Sequence, residues 1–127
     1  MKIATTIARV LLGLLFTVFG LNGFLHFIPM QPPPGLAGQY MGALFVSHYL
    51  VIVFLLQIAG GLLLLINRFV PLALVLLGPV IVNILCFHVF LAPAGLPMAL
   101  FATVLWAVLF VRVFESFAPL FEAKPAA

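Results

Sequence analysis

Long apolar runs, separated by short proline-rich or polar breaks, dominate the chain. A helix needs about 20 apolar residues to cross the roughly 30 Å hydrocarbon core of a bilayer, and such runs recur along the sequence. The pattern predicts four membrane-spanning helices, at about 5–27, 43–66, 69–90 and 98–117.

Proline and one very short turn determine how these helices connect. Pro29 and the three prolines at 32–34 end the first helix, because proline lacks an N–H and clashes with the preceding turn. We expect residues 28–42 to form an uncharged loop with room for a short interfacial helix after Gly35. The turn at 67–68 can join only antiparallel neighbours, so the second and third spans form a hairpin.

Small residues mark the expected helix contacts. Gly13, Thr17 and Gly20 form a stripe on the first span, and such stripes let helices approach closely in lipid. The stripe could serve the bundle itself or a homo-oligomer. The glycine pair at 60–61 is expected at a close contact, and Pro79 is expected to kink the third span.

Composition supports a membrane protein. The 127 residues are 67% hydrophobic and only 6% charged, whereas a soluble domain carries about 25% charged residues. We therefore predict an all-α fold: a single transmembrane domain, 1–127, that forms an integral membrane four-helix bundle. The few basic residues are too scattered to follow a phosphate backbone, which excludes a nucleic acid partner.

The basic residues also predict orientation. In the four-span arrangement all five lie on one side, and the two loops on the other side carry no charge. Because positive charge stays in the cytoplasm, both termini are expected there. The basic residues are Lys2, Arg9, Arg68, Arg112 and Lys124.

Six polar side chains fall within or next to the spans and are the candidate site residues: Asn22, His26, His48, Gln57, Asn83 and His88. The topology places all three histidines near the outer interface, with the two asparagines about 6–8 Å deeper and the glutamine deeper still. Taken singly, each has a structural interpretation, such as a hydrogen bond between helices. Taken together, they predict a polar pocket in the outer leaflet. The similar Asn-to-His endings of spans one and three also indicate two pseudo-repeated helical hairpins.

Several ligands would suit such a pocket. Quinone carbonyls accept hydrogen bonds from His, Asn or Gln, an imidazole exchanges protons near neutral pH, and a quinone tail belongs in lipid. Three imidazoles (His26, His48 and His88) could instead hold a metal, and two could hold haem, although no HxxxH spacing is present. Both acids lie near the C-terminus, which argues against a carboxylate-bridged di-iron site. The single cysteine, Cys86, is expected to be a small buried hydrophobe.

The chain resembles the DoxX family of small four-span membrane proteins. The resemblance rests on residues 9–13, 19–23, 60–65, 67–69 and 71–74, followed by Asn83 and the Phe-His pair at 87–88. It implies a four-helix bundle in the bacterial inner membrane and a theme of membrane redox chemistry. Related DoxD proteins belong to a thiosulfate:quinone oxidoreductase.

We therefore expect a quinone-interacting component of a membrane redox system, more a subunit or accessory of an oxidoreductase than an autonomous enzyme. It would work with a redox partner protein. The alternative is a non-enzymatic scaffold, or a protein that binds lipid or another hydrophobic small molecule. A haem or metal protein is the third hypothesis.

Overall fold

The computed structural model describes residues 2–124, and this part of the chain contains only helices, turns and irregular segments. Three short 3-10 turns occur, at Pro93–Gly95, Phe114–Ser116 and Ala118–Phe121. The α-helices are α1 (Lys2–Leu25), α2 (Gly35–Val46), α3 (Tyr49–Leu65), α4 (Val70–Phe90) and α5 (Leu96–Arg112).

Several of these helices are long and apolar enough to cross a membrane. By length and composition α1, α4 and the segment Pro93–Arg112 qualify, and α2 with α3 would provide a fourth span if the bent pair counts as one. The all-α prediction is confirmed for the described residues. Long apolar helices of this number fit a multi-pass membrane protein.

The predicted second span, 43–66, is not one helix. The chain bends by 86° between α2 and α3, and His48 at the break has left-handed backbone angles, with φ of 64°. The short helix expected after Gly35 exists, but it runs on to Val46 and so takes the first residues assigned to the span. No proline or glycine marks this break, which is why the apolar pattern runs straight through it.

The other predicted spans agree with helices to within a few residues, except at one end. The sequence pattern extends the fourth span to residue 117, but α5 ends at Arg112 and the chain continues as 3-10 turns. The predicted two-residue turn at 67–68 is in fact a connection of four residues, 66–69, because α3 ends at Leu65 and α4 begins at Val70; α3 still packs on α4, as a hairpin requires.

Packing links the four longest helices in a ring, because α1 contacts α3 and α5, and α4 contacts the same two helices. Their shared core contains large, fully buried side chains: Leu12, Phe16, Leu64, Leu74, Leu77 and Leu109. Within α4 the helix is continuous through Pro79. The Trp106 indole N–H donates to the carbonyl of Leu74 at 3.0 Å. The next carbonyl along the helix, that of Val75, has no helical donor because Pro79 lacks an N–H.

The closest helix pair is α1 with α3, and small residues make the approach possible. A Cβ added to Gly13 would lie 3.0 Å from the carbonyl oxygen of Gly61, and one added to Gly20 would lie 2.8 Å from Ile58 Cγ1. A Cβ on Gly61 would collide with Thr17. The predicted close-contact role of the stripe is confirmed, and it is filled within the chain, so it offers no surface to a second copy.

Arg9 ties the start of α1 to the end of α3. Its Nη1 donates to the carbonyls of Leu64 at 2.5 Å and Leu65 at 3.3 Å. The last carbonyls of a helix lack helical donors and carry partial negative charge, so a guanidinium stabilises them. The start of α1 and the turn containing Arg68 therefore lie at the same end of the molecule, called here the basic end. The opposite end, with the loops at 26–34 and 91–95, is called the uncharged end.

Candidate functional site

Asn22 fastens the loop that follows α1. The side chain is 6% exposed, its Oδ1 accepts the backbone N–H of Ile28 at 2.7 Å, and its Nδ2 donates to the carbonyl of Ile28 at 3.3 Å. A further contact of 3.5 Å joins Nδ2 to the sulfur of Met30. Both hydrogen bonds of Asn22 are therefore made to the loop that follows α1. The interpretation of Asn22 as a bridge between helices is wrong.

The imidazoles of His26 and His48 are exposed, and each residue lies just beyond the end of a helix. Both residues have positive φ, 53° and 64°, a backbone conformation that is uncommon outside glycine but that histidine, like asparagine and aspartate, adopts more often than most residues. The His26 ring lies 6.2 Å, centroid to centroid, from the ring of Phe45 in α2. These two histidines mark the ends of α1 and α2.

His88 closes the loop after α4. Its Nδ1 lies 3.0 Å from the carbonyl oxygen of Ala92, and the ring packs so closely on Gly95 that an added Cβ there would collide with it. The contact orders the connection between α4 and α5. Like Asn22, His88 is engaged with the loop adjoining its own helix.

The three histidines do not form a metal centre in the described structure. Within residues 2–124 no group of three or more His, Cys, Asp or Glu side chains is placed to hold a metal ion. His26 instead lies against Phe45 of α2, and His88 contacts the loop after α4. The idea of a ligand set made from His26, His48 and His88 therefore has no geometric basis.

Gln57 lies in the α1–α3 interface, away from the loops. Its side chain is 9% exposed, its Cβ lies 3.1 Å from the place where Gly20 would carry one, and its amide has no hydrogen bond with the rest of the described chain. Thr17, on the facing surface of α1, also has a buried hydroxyl oxygen without a partner among the described residues. Both are polar side chains within the helix contact.

A groove lies at the uncharged end, between α2 and α4. Its volume is about 250 Å³, just below the roughly 300 Å³ at which ligand pockets begin. Aromatic rings form much of its wall, and the rings of Tyr40 and Phe87 lie 5.8 Å apart. The lining residues are Tyr40, Asn83, Cys86, Phe87, Phe90 and Leu91. We call this the α2–α4 groove.

Two polar groups in the groove have unused hydrogen-bonding capacity. Asn83 Nδ2 donates to the carbonyl of Pro79, one turn back on its own helix, at 2.9 Å, which leaves Oδ1 and one amide hydrogen available. The Tyr40 hydroxyl makes no hydrogen bond with any described residue. Asn83 is therefore not an interhelical bridge, and with Tyr40 it offers both donors and an acceptor to a bound molecule.

Cys86 also lines the groove and is exposed. The prediction of a buried cysteine is therefore wrong, because its face of α4 points away from the core formed by Leu74, Leu77 and Ile81. Positions 83, 86, 87 and 90 follow the spacing of neighbours on one helix face. That spacing is the sequence signal that could have revealed the α4 side of the groove.

Of the six predicted site residues, Asn83 alone lines this groove. Asn22, His26 and His88 act at the loops around it, His48 lies at the α2–α3 bend, and Gln57 lies between α1 and α3. Tyr40, Cys86, Phe87, Phe90 and Leu91 were not among the candidates. The arrangement can hold a flat ring against aromatic side chains and hydrogen-bond its polar substituents.

Comparison with protein family models, with characterised proteins and with solved structures found no match to this chain.

Proposed function

We propose that the chain is a DoxX-like four-helix bundle of the bacterial inner membrane, with both termini in the cytoplasm. The ring of contacts among α1, α3, α4 and α5 supports the bundle. The bond from Arg9 to the end of α3 supports a single basic end. Because loops that carry Lys and Arg tend to stay in the cytoplasm, the basic end would face the cytoplasm and the uncharged end the periplasm.

Its function, in this proposal, is to bind a quinone head group in the α2–α4 groove as a component of a membrane redox system. The observation that carries the proposal is the position of Asn83, whose side chain is exposed on an otherwise apolar helix. At a rise of 1.5 Å per residue, it lies about 10 Å from the end of α4. Polar side chains inside membrane segments are costly and normally face the protein interior or a functional cavity. A ligand that hydrogen-bonds Asn83 would offset that cost.

The chemistry of the groove suits both redox forms of a quinone. The Tyr40 hydroxyl and the free amide hydrogen of Asn83 can donate to carbonyl oxygens, and Asn83 Oδ1 can accept from a hydroquinone hydroxyl. Phe87 and Phe90 offer ring faces for stacking. A bound quinone would supply two-electron, two-proton chemistry, with the electrons provided by a partner oxidoreductase. The role assigned to this chain is binding and orientation.

A second candidate, a protein that binds lipid or another hydrophobic molecule without redox chemistry, is favoured by the surface of α2. This helix has no charged residue, and it exposes large apolar side chains, with Leu36 at 69% and Val46 at 78%. A helix that is mostly apolar on every side is suited to the hydrocarbon region of a bilayer. In this case the groove would accept an acyl chain.

Melting temperature separates the two candidates. Decylubiquinone should raise the melting temperature of the purified protein, and Asn83→Leu should abolish most of that rise. Thr103→Val is the matched control, because Thr103 also bonds one turn back on its own helix, to Ala99 at 2.8 Å, and lies outside the groove; it should keep the full rise. An equal rise with a long-chain alcohol would favour the lipid-binding candidate, and no rise with either would contradict both.

A further inference from the structure

Helix α2 is attached to the rest of the molecule mainly through its two ends. At its start, Asn22 holds the loop at Ile28, and a proline-rich stretch leads to Gly35, whose φ is +69°. At its end, the chain bends by 86° before α3. Across the described residues, no side-chain hydrogen bond joins α2 to α3, α4 or α5.

Between these ends α2 buries very little. Ala37 is its single buried residue, and the neighbours on the same face, Met41 and Leu44, are half-buried. By contrast, α3 and α4 bury five residues each. Segments with few buried apolar contacts open at lower free energy than the core of a protein.

The bend between α2 and α3 has the form of a hinge. Ser47 and His48 are the only residues between the two helices, and both are exposed. The Ser47 hydroxyl accepts the backbone N–H of Tyr49 at 3.3 Å and donates to the carbonyl of Leu44 at 3.2 Å, so the polar contacts at the bend are local. A few residues at the ends of elements, absorbing a change in φ and ψ, are typical of hinges.

One wall of the α2–α4 groove belongs to this weakly attached helix. Tyr40 is carried by α2, whereas the other lining residues lie on α4 or directly after it. A rotation of α2 about 47–48 would carry Tyr40 away from Phe87 and open the groove sideways to lipid, the direction from which a molecule with an apolar tail would enter.

We infer that α2 is a gate, which pivots at Ser47-His48 and closes Tyr40 over a ligand held on the α4 face. The identity of that ligand as a quinone rests on the proposed function, but the motion of the gate does not. In the closed position Tyr40 completes the site, and in the open position the α4 face alone is presented to the membrane.

Distances between spin labels test this inference. In a Cys86→Ala background, one label pair is placed at Leu36→Cys on α2 and Leu100→Cys on α5, both exposed. The matched control pair is Val89→Cys on α4 with Leu100→Cys, which also uses exposed positions. In lipid nanodiscs we expect two populations of distances for the α2 pair, merging into one when decylubiquinone is added, and one unchanged population for the control pair.

The outcomes separate the gate from the ligand. One narrow distance for the α2 pair, identical with and without decylubiquinone, overturns the gate, even if the quinone raises the melting temperature of the same labelled protein. If the two distances of the α2 pair are unchanged by decylubiquinone but become one with a long-chain alcohol, the gate is supported and the quinone is not its ligand. Two populations in the control pair as well would overturn the gate, because the motion would then not belong to α2.

Discussion

Thr17 of α1 and Gly61 of α3 are in direct contact across the interface of the two helices. The hydroxyl oxygen of Thr17 occupies the place that a Cβ on Gly61 would need, and it is buried with no hydrogen-bond partner in residues 2–124. The backbones of α1 and α3 therefore lie close together, but the Thr17 hydroxyl between them is left without a hydrogen bond. Substitutions of Thr17 and of Gly61 should accordingly change the free energy of unfolding in different ways.

Replacing Gly61 should separate the two helices. Gly61→Ala adds a methyl group that meets the backbone and side chain of Thr17, and we expect a loss of about 1–3 kcal/mol in unfolding free energy, as for other overpacked cores. Gly78→Ala is the control, because its added Cβ would meet nothing closer than Trp106 Cζ2 at 3.7 Å. Reversible unfolding in mixed micelles measures both, and equal stability of the two variants would contradict the contact.

Replacing Thr17 by valine should not weaken the protein. Valine keeps the shape of threonine and removes a hydroxyl whose burial without a partner costs about 1–3 kcal/mol. We expect Thr17→Val to equal or exceed the natural protein in unfolding free energy, whereas Thr17→Ala should fall below it because it leaves a gap. A loss in Thr17→Val as large as that in Thr17→Ala would show that the hydroxyl has a partner.

Asn22 should control the order of the loop after α1. Asn22→Leu removes both hydrogen bonds to Ile28, each worth about 0.5–1.5 kcal/mol. We expect faster amide hydrogen exchange at residue 28 and its neighbours, with little change in α5. The control is Asn83→Leu: the Asn83 side chain bonds within its own helix and not to a loop, so this variant should leave the exchange rate unchanged. Equal exchange in the natural protein and in both variants would contradict the role of Asn22.

Orientation is open to direct labelling. In a Cys86→Ala background, Leu36→Cys and Ala94→Cys lie at the uncharged end and should react with a membrane-impermeant maleimide added to intact spheroplasts. Asn67→Cys, at the basic end, should react only after the membrane is permeabilised. The reverse pattern would place the termini in the periplasm.

Much of the helix pattern follows from the sequence because apolar length and proline carry strong physical constraints. Pro29 and the prolines at 32–34 end α1 wherever the rest of the chain folds, and the run after Phe69 is too long to be anything but a helix in lipid. The bend at 47–48 carries no such constraint. Its residues can join a helix or leave it, and the apolar pattern does not decide between the two.

The site was harder to foresee for a related reason. The predicted topology puts Asn22, His26, His48, Asn83 and His88 in the outer leaflet or at its interface, but depth in the membrane does not tell which of these side chains bond to helix ends and loops. In the structure Asn22 and His88 are engaged in this way. The α2–α4 groove depends on where α2 lies, which the bend decides, so Tyr40 could not be assigned to it from spacing alone.

Photo-crosslinking tests the central claim, the binding of a quinone head in the α2–α4 groove. An azido-ubiquinone is irradiated with the protein in nanodiscs, and the modified peptides are identified by mass spectrometry. We predict adducts in α2 around Tyr40 and in α4 between Asn83 and Leu91, prevented by excess decylubiquinone and strongly reduced in Asn83→Leu but retained in Thr103→Val. Adducts spread over the lipid-facing surfaces of all helices, or unaffected by decylubiquinone, would contradict the claim.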